Sequence, residues 1–278
     1  MNKLVGKVEK EMSFLEHLEE LRWHIIRSFI AIAVFAILAF VFRNFVFKEI
    51  IFAPGQTEFW TYQMLCKAAD ITGSSVLCID ELPFTIQSRK MTGQFTMAIT
   101  ASFVIGLIIA FPYVFYEIWS FISPGLYDKE KKLSRGSVFF VSLLFSMGIL
   151  FGYYIVSPLS INFLANFNLD PGTVVNEFDI VSFVSTVTML VLACGILFQL
   201  PVVVYFLTKA GIITPQLMRQ FRRHSIVVIL ILSAILTPPD PMSQLLIAFP
   251  LLLLYEISIK LSAFVARKRD KEMQEILE

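Results

Sequence analysis

Apolar and polar positions divide this chain into six apolar runs separated by polar segments. The runs cover residues 23–42, 95–115, 137–163, 180–207, 225–236 and 242–259. The first four reach or exceed the roughly 20 residues that carry a helix across a hydrocarbon core. The fifth is bounded by Arg223 and Pro238, with 14 residues between them. Those residues make a helix of about 21 Å at about 1.5 Å per residue. The sixth, at about 18 residues, is near the minimum. The pattern predicts an all-α integral membrane protein with six transmembrane helices, forming a single domain over residues 1–278. The fifth and sixth helices are expected to be short, and residues 43–94 to form a long external loop.

Ahead of the first run stands Ser13-Phe-Leu-Glu-His-Leu-Glu-Glu-Leu-Arg22. Phe14, Leu15, Leu18, Leu21 and Ile25 share one face at helical spacing, while Glu16, Glu19 and Glu20 fall largely off it. Ser13 followed by Glu16 reads as a capping box, so a helix is expected to start here. Carboxylates gathered at the lip of a membrane span suit the capture of a cationic ligand.

Basic residues set the expected orientation. An even number of spans puts both termini on one side. With that side cytoplasmic, the leader and the second and fourth connections hold basic residues from Lys3 through Arg223, and the tail adds Lys260, Arg267, Lys268, Arg269 and Lys271. These total 17. The first external loop holds five, namely Arg43, Lys48, Lys67, Arg89 and Lys90, and the other two external connections hold none. The bias predicts that both termini are inside.

Composition agrees. The chain is 56% hydrophobic and 16% charged, with mean hydropathy +0.73, values outside the range of soluble domains. Net charge is +1, so nothing points to nucleic acid. The polar leader and long first run do not read as a cleavable signal peptide or a transit peptide. Pro112, Pro158, Pro201 and Pro250 fall inside spans. They either kink their helices into a concave bundle or are simply tolerated in a membrane. No repeat or inverted pair of broken helices is evident, which argues against a secondary transporter.

Cys66 and Cys78 share the first external loop with eleven residues between them. In an oxidising periplasm they could form a bridge worth roughly 3 kcal/mol, or they could stay free. Cys194, beside Gly195, reads as a packing residue. His17, His24 and His224 are scattered. With no metal-ligand spacing, nucleophilic triad or phosphate loop, the expectation is no enzyme and no cofactor.

Four polar features remain: Glu20-Leu-Arg22, the loop 119–132 with Pro124-Gly125 and Glu130, Gln199 beside Pro201, and the turn 236–244 with Asp240 and Gln244. Each has a plain structural reading. Glu20 could pair with His24 one turn on, or with a base from another loop. Glu130 could be a solvated loop charge, Gln199 could bond a neighbouring helix, and Asp240 could cap the sixth helix. What these readings leave unexplained is two cytoplasmic carboxylates at the mouths of adjacent segments. Such a pair can take two guanidinium groups through charge-assisted hydrogen bonds.

The motifs as a set resemble the TatC family, the polytopic receptor subunit of the twin-arginine protein translocase. They are Phe14-Leu-Glu-His-Leu-Glu-Glu-Leu-Arg22, Ala53-Pro54, Phe121-Ile-Ser-Pro-Gly-Leu-Tyr-Asp-Lys-Glu130, Phe198-Gln-Leu-Pro201, Leu236-Thr-Pro-Pro-Asp240 with Gln244, and Tyr255-Glu256. The resemblance runs from about residue 13 to residue 261. It implies a non-enzymatic receptor in the bacterial cytoplasmic (inner) membrane. Such a receptor binds twin-arginine signal peptides of folded precursors, and works in an oligomeric complex with TatA- and TatB-type single-span proteins and membrane lipid. The proton-motive force drives it. Glu20 and Glu130 match the signal-binding carboxylates, and Leu21, Arg22, Phe121, Pro124 and Tyr127 match the surface around them. Pro54, Asp240 and Gln244 match external functional positions, and Gln199 and Glu256 match polar sites in the fourth and sixth spans. The chain departs from the family pattern at His24, where a second basic residue is common and to which no role is given, and in its longer first external loop. A proton- or solute-coupled transporter using Gln199, Glu256 and Asp240 is the competing expectation.

Overall fold

The computed structural model describes residues 14–73, 78–79, 81–122, 128–167, 176–236 and 241–277. The first apolar run and its amphipathic leader form one helix, α1 (Phe14–Val41). Its outward residues are large and apolar, among them Phe29, Ile30, Ile37 and Val41. A face of that size left unburied by the fold is suited to lipid.

After α1 the chain turns through a single helical turn, α2 (Arg43–Phe45), a π turn (Val46–Ile51) and a 3-10 turn (Ala53–Gly55). It then forms α3 (Trp60–Thr72), which ends on Gly73 at φ 68°. The segment expected to be a loop is therefore largely ordered. Tyr62 explains how. Its hydroxyl is buried, 2.9 Å from the Pro54 carbonyl and 2.8 Å from that of Pro158, two acceptors for one proton. Burial raises the Tyr62 pKa well above the ordinary phenol value, so the group remains a donor.

Two three-residue strands depart from the all-α expectation. β1 (Thr85–Gln87) pairs in parallel with β2 (Glu177–Asp179), with Ile86 opposite Phe178. They join the first and second external connections just before the helices that follow each. Arg89 adds a backbone bond to Asp179 and an ion pair with Glu177 at 3.3 Å.

α4 (Gly93–Ile122) runs antiparallel to α1 and continues through Pro112. Small residues allow the close approach: a Cβ on Gly106 would lie 2.6 Å from the Ala36 backbone nitrogen. α5 (Asp128–Phe151) passes through a π segment (Gly152–Val156) into α6 (Ser157–Asn166), where Pro158 sits in the first turn. The fourth run is two helices, α7 (Ile180–Leu197) and α8 (Leu200–Lys209), broken at Phe198 and Gln199 ahead of Pro201. α9 (Pro215–Gln220) is capped by the Thr214 side chain and leads into α10 (Arg222–Leu236). α11 (Pro241–Leu277) closes the chain.

Among the described residues four apolar clusters hold these helices, and two of them are the largest. Met97, Ala101, Phe183, Val184 and Val187 fill one between α4 and α7, beside the turns that follow α1. Leu190, Cys194, Ile229, Ile247 and Leu251 fill the other, between α7, α10 and α11.

Among the described residues five helical stretches are long and apolar enough to cross a membrane: Leu18–Val41, Gly93–Ile122, Val138–Asn166, Ile180–Lys209 and Gln244–Arg269. The 15-residue α10 falls short of that length, as its sequence implies. The expectation of a short sixth helix is corrected, because α11 is 37 residues long. The apolar run stops at Lys260, but the helix does not. Ser262 and Val265 stay buried, Thr208 donates to Ser262, and the Arg269 guanidinium donates to the Thr208 carbonyl. Contacts with α8 thus sustain helix beyond the point where hydrophobicity alone would end it.

Candidate functional site

The antiparallel packing of α1 on α4 brings the start of one helix to the end of the other. Glu20 and Leu21 are half-buried, and Phe121 stands across from Leu21. A groove of about 280 Å³ opens between them, lined by Leu21, His24, Ile25, Ser28, Phe29 and Ile32 of α1 and by Val114, Ile118 and Phe121 of α4. Its walls are apolar except at His24 and Ser28. Arg22 points outward, 3.4 Å from Glu19 and over the Trp23 ring.

At the floor of this mouth lies a polar cluster that sequence reasoning missed. His24 Nδ1 donates to Glu117 Oε2 at 2.5 Å, and the two side chains are only 11% and 6% exposed. The Tyr113 phenol, one turn back on α4, interacts with the same carboxylate. Arg27 reaches it at 4.0 Å from a largely exposed position. His24 is one turn along from Glu20, and Glu117 one turn back from Phe121, so the pair sits a turn below the mouth. His24 therefore pairs with Glu117, not with Glu20 as the plain reading allowed. The available signal was a lone carboxylate near an apolar run, which in a membrane segment marks a site until shown otherwise. It stands two residues beyond Phe115, where the second apolar run ends.

Of the other sequence-selected residues, Pro124, Tyr127 and Asp240 lie outside the described residues. Glu130 falls in the first turn of α5, and its side chain also lies outside them. Gln199 occupies the break between α7 and α8. Its amide nitrogen donates to the Val141 carbonyl at 3.2 Å, and its buried Oε1 accepts no bond among the described residues. Gln244 donates to the Leu230 carbonyl, tying α11 to α10. Glu256 accepts from Arg222 at 2.9 Å, and the neighbouring Tyr255 hydroxyl donates to Met218. Pro54 is buried beneath Tyr62. Cys66 and Cys78 are joined in a disulfide, and Cys194 is a buried free thiol.

The groove end and the Gln199 and Glu256 positions are therefore distinct places. The first combines a carboxylate, apolar walls and a buried acid–imidazole pair. That combination suits an extended ligand with cationic and apolar parts. Among the described residues no cluster of three or more metal-ligating side chains is present.

The chain matches the family described as "Sec-independent protein translocase protein (TatC)" over residues 16–250. It is 37% identical to the TatC protein of Blattabacterium over 94% of this chain and 98% of that one. The TatC of Aquifex aeolicus is 36% identical over 95% of this chain and 99% of the relative. A solved structure described as the twin arginine translocase receptor TatC in DDM superposes with a TM-score of 0.71. It is 36% identical and covers 89% of this chain and 99% of its own. With a family match across most of its length and relatives of this identity and coverage, the chain belongs to the TatC family of Sec-independent protein translocase components.

Proposed function

We propose that this chain is the receptor of its translocase, binding the twin-arginine signal peptides of folded precursors at the groove mouth. Glu20 and Glu130 receive the two guanidinium groups through charge-assisted hydrogen bonds. Leu21, Phe121, Pro124 and Tyr127 contact the apolar residues that flank them, and Arg22 borders the site. The observation that carries the reading is the meeting of Leu21 with Phe121 around an apolar groove, with the half-buried Glu20 next to Leu21 on α1, at the end where α5 begins two residues before Glu130. The mouth lies at the cytoplasmic face in a six-span arrangement with both termini inside, for which the support is the bias of basic residues. Single-span TatA- and TatB-type partners then assemble on the chain, with Gln199, Glu256 and the 237–244 turn as their contact region, and the proton-motive force drives passage.

The test is site-specific crosslinking of a twin-arginine precursor to the purified protein. Each lost guanidinium contact should weaken binding by about 1.5–3 kcal/mol, so a Glu20→Ala, Glu130→Ala double variant should lose most of the crosslink. Wild-type yield from the double variant would sink the assignment.

A further inference from the structure

We propose that a cavity at the opposite end of α1 is a binding site for one anionic phospholipid, its phosphate held by Arg43 and Lys48. The cavity measures about 700 Å³. It lies where three apolar stretches, Leu18–Val41, Gly93–Ile122 and Ile180–Lys209, all end or begin. That places it at the boundary between hydrocarbon and headgroups. The assignment to the outer leaflet, and only that, rests on the orientation proposed above.

The lining is divided by chemistry. Arg43 and Lys48 stand at the rim with the carboxamides of Asn44, Gln56 and Gln94, while Phe40, Phe47, Phe52 and Phe95 supply apolar walls. Arg43 lies over the Phe40 ring at 5.6 Å, and among the described residues no carboxylate pairs with it. Lys48 meets the adjacent Glu49 at 3.6 Å, but both are largely exposed, where such a pair contributes little. A phosphodiester fits this rim, since two cations and several amide donors match its oxygens.

What selects a lipid over a free anion is the apolar track below the rim. Phe95, Ile99 and Phe103 follow one another at four-residue spacing on α4 and all are exposed. They form a stripe that runs from the cavity toward the middle of the span. An acyl chain attached to the bound phosphate would lie along it. Cations are also scarce at this end of the protein. Two of the five basic residues of the 43–94 loop meet at this one cavity, although orientation is set by bases on the other side.

The experiment is native mass spectrometry of the delipidated full chain with equimolar phosphatidylglycerol and phosphatidylcholine of matched acyl chains. One phosphatidylglycerol should be retained per chain, roughly thirtyfold over phosphatidylcholine, the preference two interfacial cations supply. Arg43→Gln with Lys48→Gln should remove the preference, and Arg43→Lys with Lys48→Arg should keep it. Millimolar inorganic phosphate should not displace the lipid. On the unmodified protein, phosphatidylglycerol carrying a photoreactive acyl chain should label residues 94–103. Equal retention of the two lipids, a preference that survives the glutamine variant, displacement by phosphate alone, or labelling confined to other segments would each overturn the proposal. Binding of a twin-arginine peptide, measured on the same samples, reports the receptor reading separately, so either can fail without the other.

Discussion

Glu117 is the residue on which the groove end turns. A carboxylate this buried is held by His24, Tyr113 and, at 4.0 Å, Arg27. Removing one partner of a buried pair leaves the other desolvated and uncompensated, at a cost of about 3–5 kcal/mol. His24→Ala should therefore lower the thermal midpoint in detergent markedly. Replacing both, as His24→Leu with Glu117→Met, should recover most of that loss, because apolar side chains of similar volume do not need the pair. A double variant as unstable as the single one would show that the pair is not the source of the effect. Gln199 makes the opposite case. Its bond to Val141 is long, and its Oε1 is already buried without a donor among the described residues. Gln199→Leu should change stability by no more than about 1 kcal/mol. If the free acceptor serves a partner helix, the same variant should weaken co-purification of single-span subunits while sparing peptide binding. Equal loss of both would point to misfolding instead. The sequence made Glu20, Leu21 and Phe121 legible because they stand in motifs at helix ends. Glu117 is visible in the sequence only as a lone carboxylate beside an apolar run, and its pairing with His24 across 93 residues has no local trace.

At the scale of elements, backbone contact replaces side-chain size as the deciding quantity. α5 and α7 meet so closely that a Cβ on Gly148 would sit 2.6 Å from the Cys194 carbonyl, and one on Gly152 only 2.9 Å from the Cys194 Cβ. Gly148→Ala should thus destabilise by about 1–3 kcal/mol, the range for overpacking. An unchanged melting temperature would mean the helices can separate at no cost. Hydrophobic periodicity reveals where such helices exist, but not which turns of them touch. The same limit explains the errors at element ends. The first external segment reads as loop because its helix, α3, is anchored by Tyr62 and by the Cys66–Cys78 bridge, not by an apolar run. The end of α11 reads as tail because its polar residues are held by α8. Peptide mapping of alkylated, unreduced protein should recover Cys66 and Cys78 in one linked species. Two alkylated thiols would refute the bridge.

The whole molecule is uneven in thickness, and α10 is the reason. It spans 15 residues, about 22 Å, against a hydrocarbon core of about 30 Å. α11 repeats the measure. Arg222 at the start of α10 pairs with Glu256, which stands 15 residues into α11, so the half-exposed ion pair also lies about 22 Å along that helix from its first residue. A charged pair at that depth needs water or a thinned bilayer beside it. The long remainder of α11 packs on α8 and leaves the deficit on the α10 side. Nor is α10 hidden by its neighbours. Val227, Val228, Ile231 and Ile235 are exposed, and among its described residues only Ile229 and Ser233 are buried. Its outer face therefore meets lipid or a partner helix directly. If cargo crosses where the membrane is thinnest, lengthening α10 by one turn of four leucines, about 6 Å, should abolish export while twin-arginine peptide binding at the groove persists. Export at the wild-type rate through the lengthened protein would show that the short helix is not what admits the cargo.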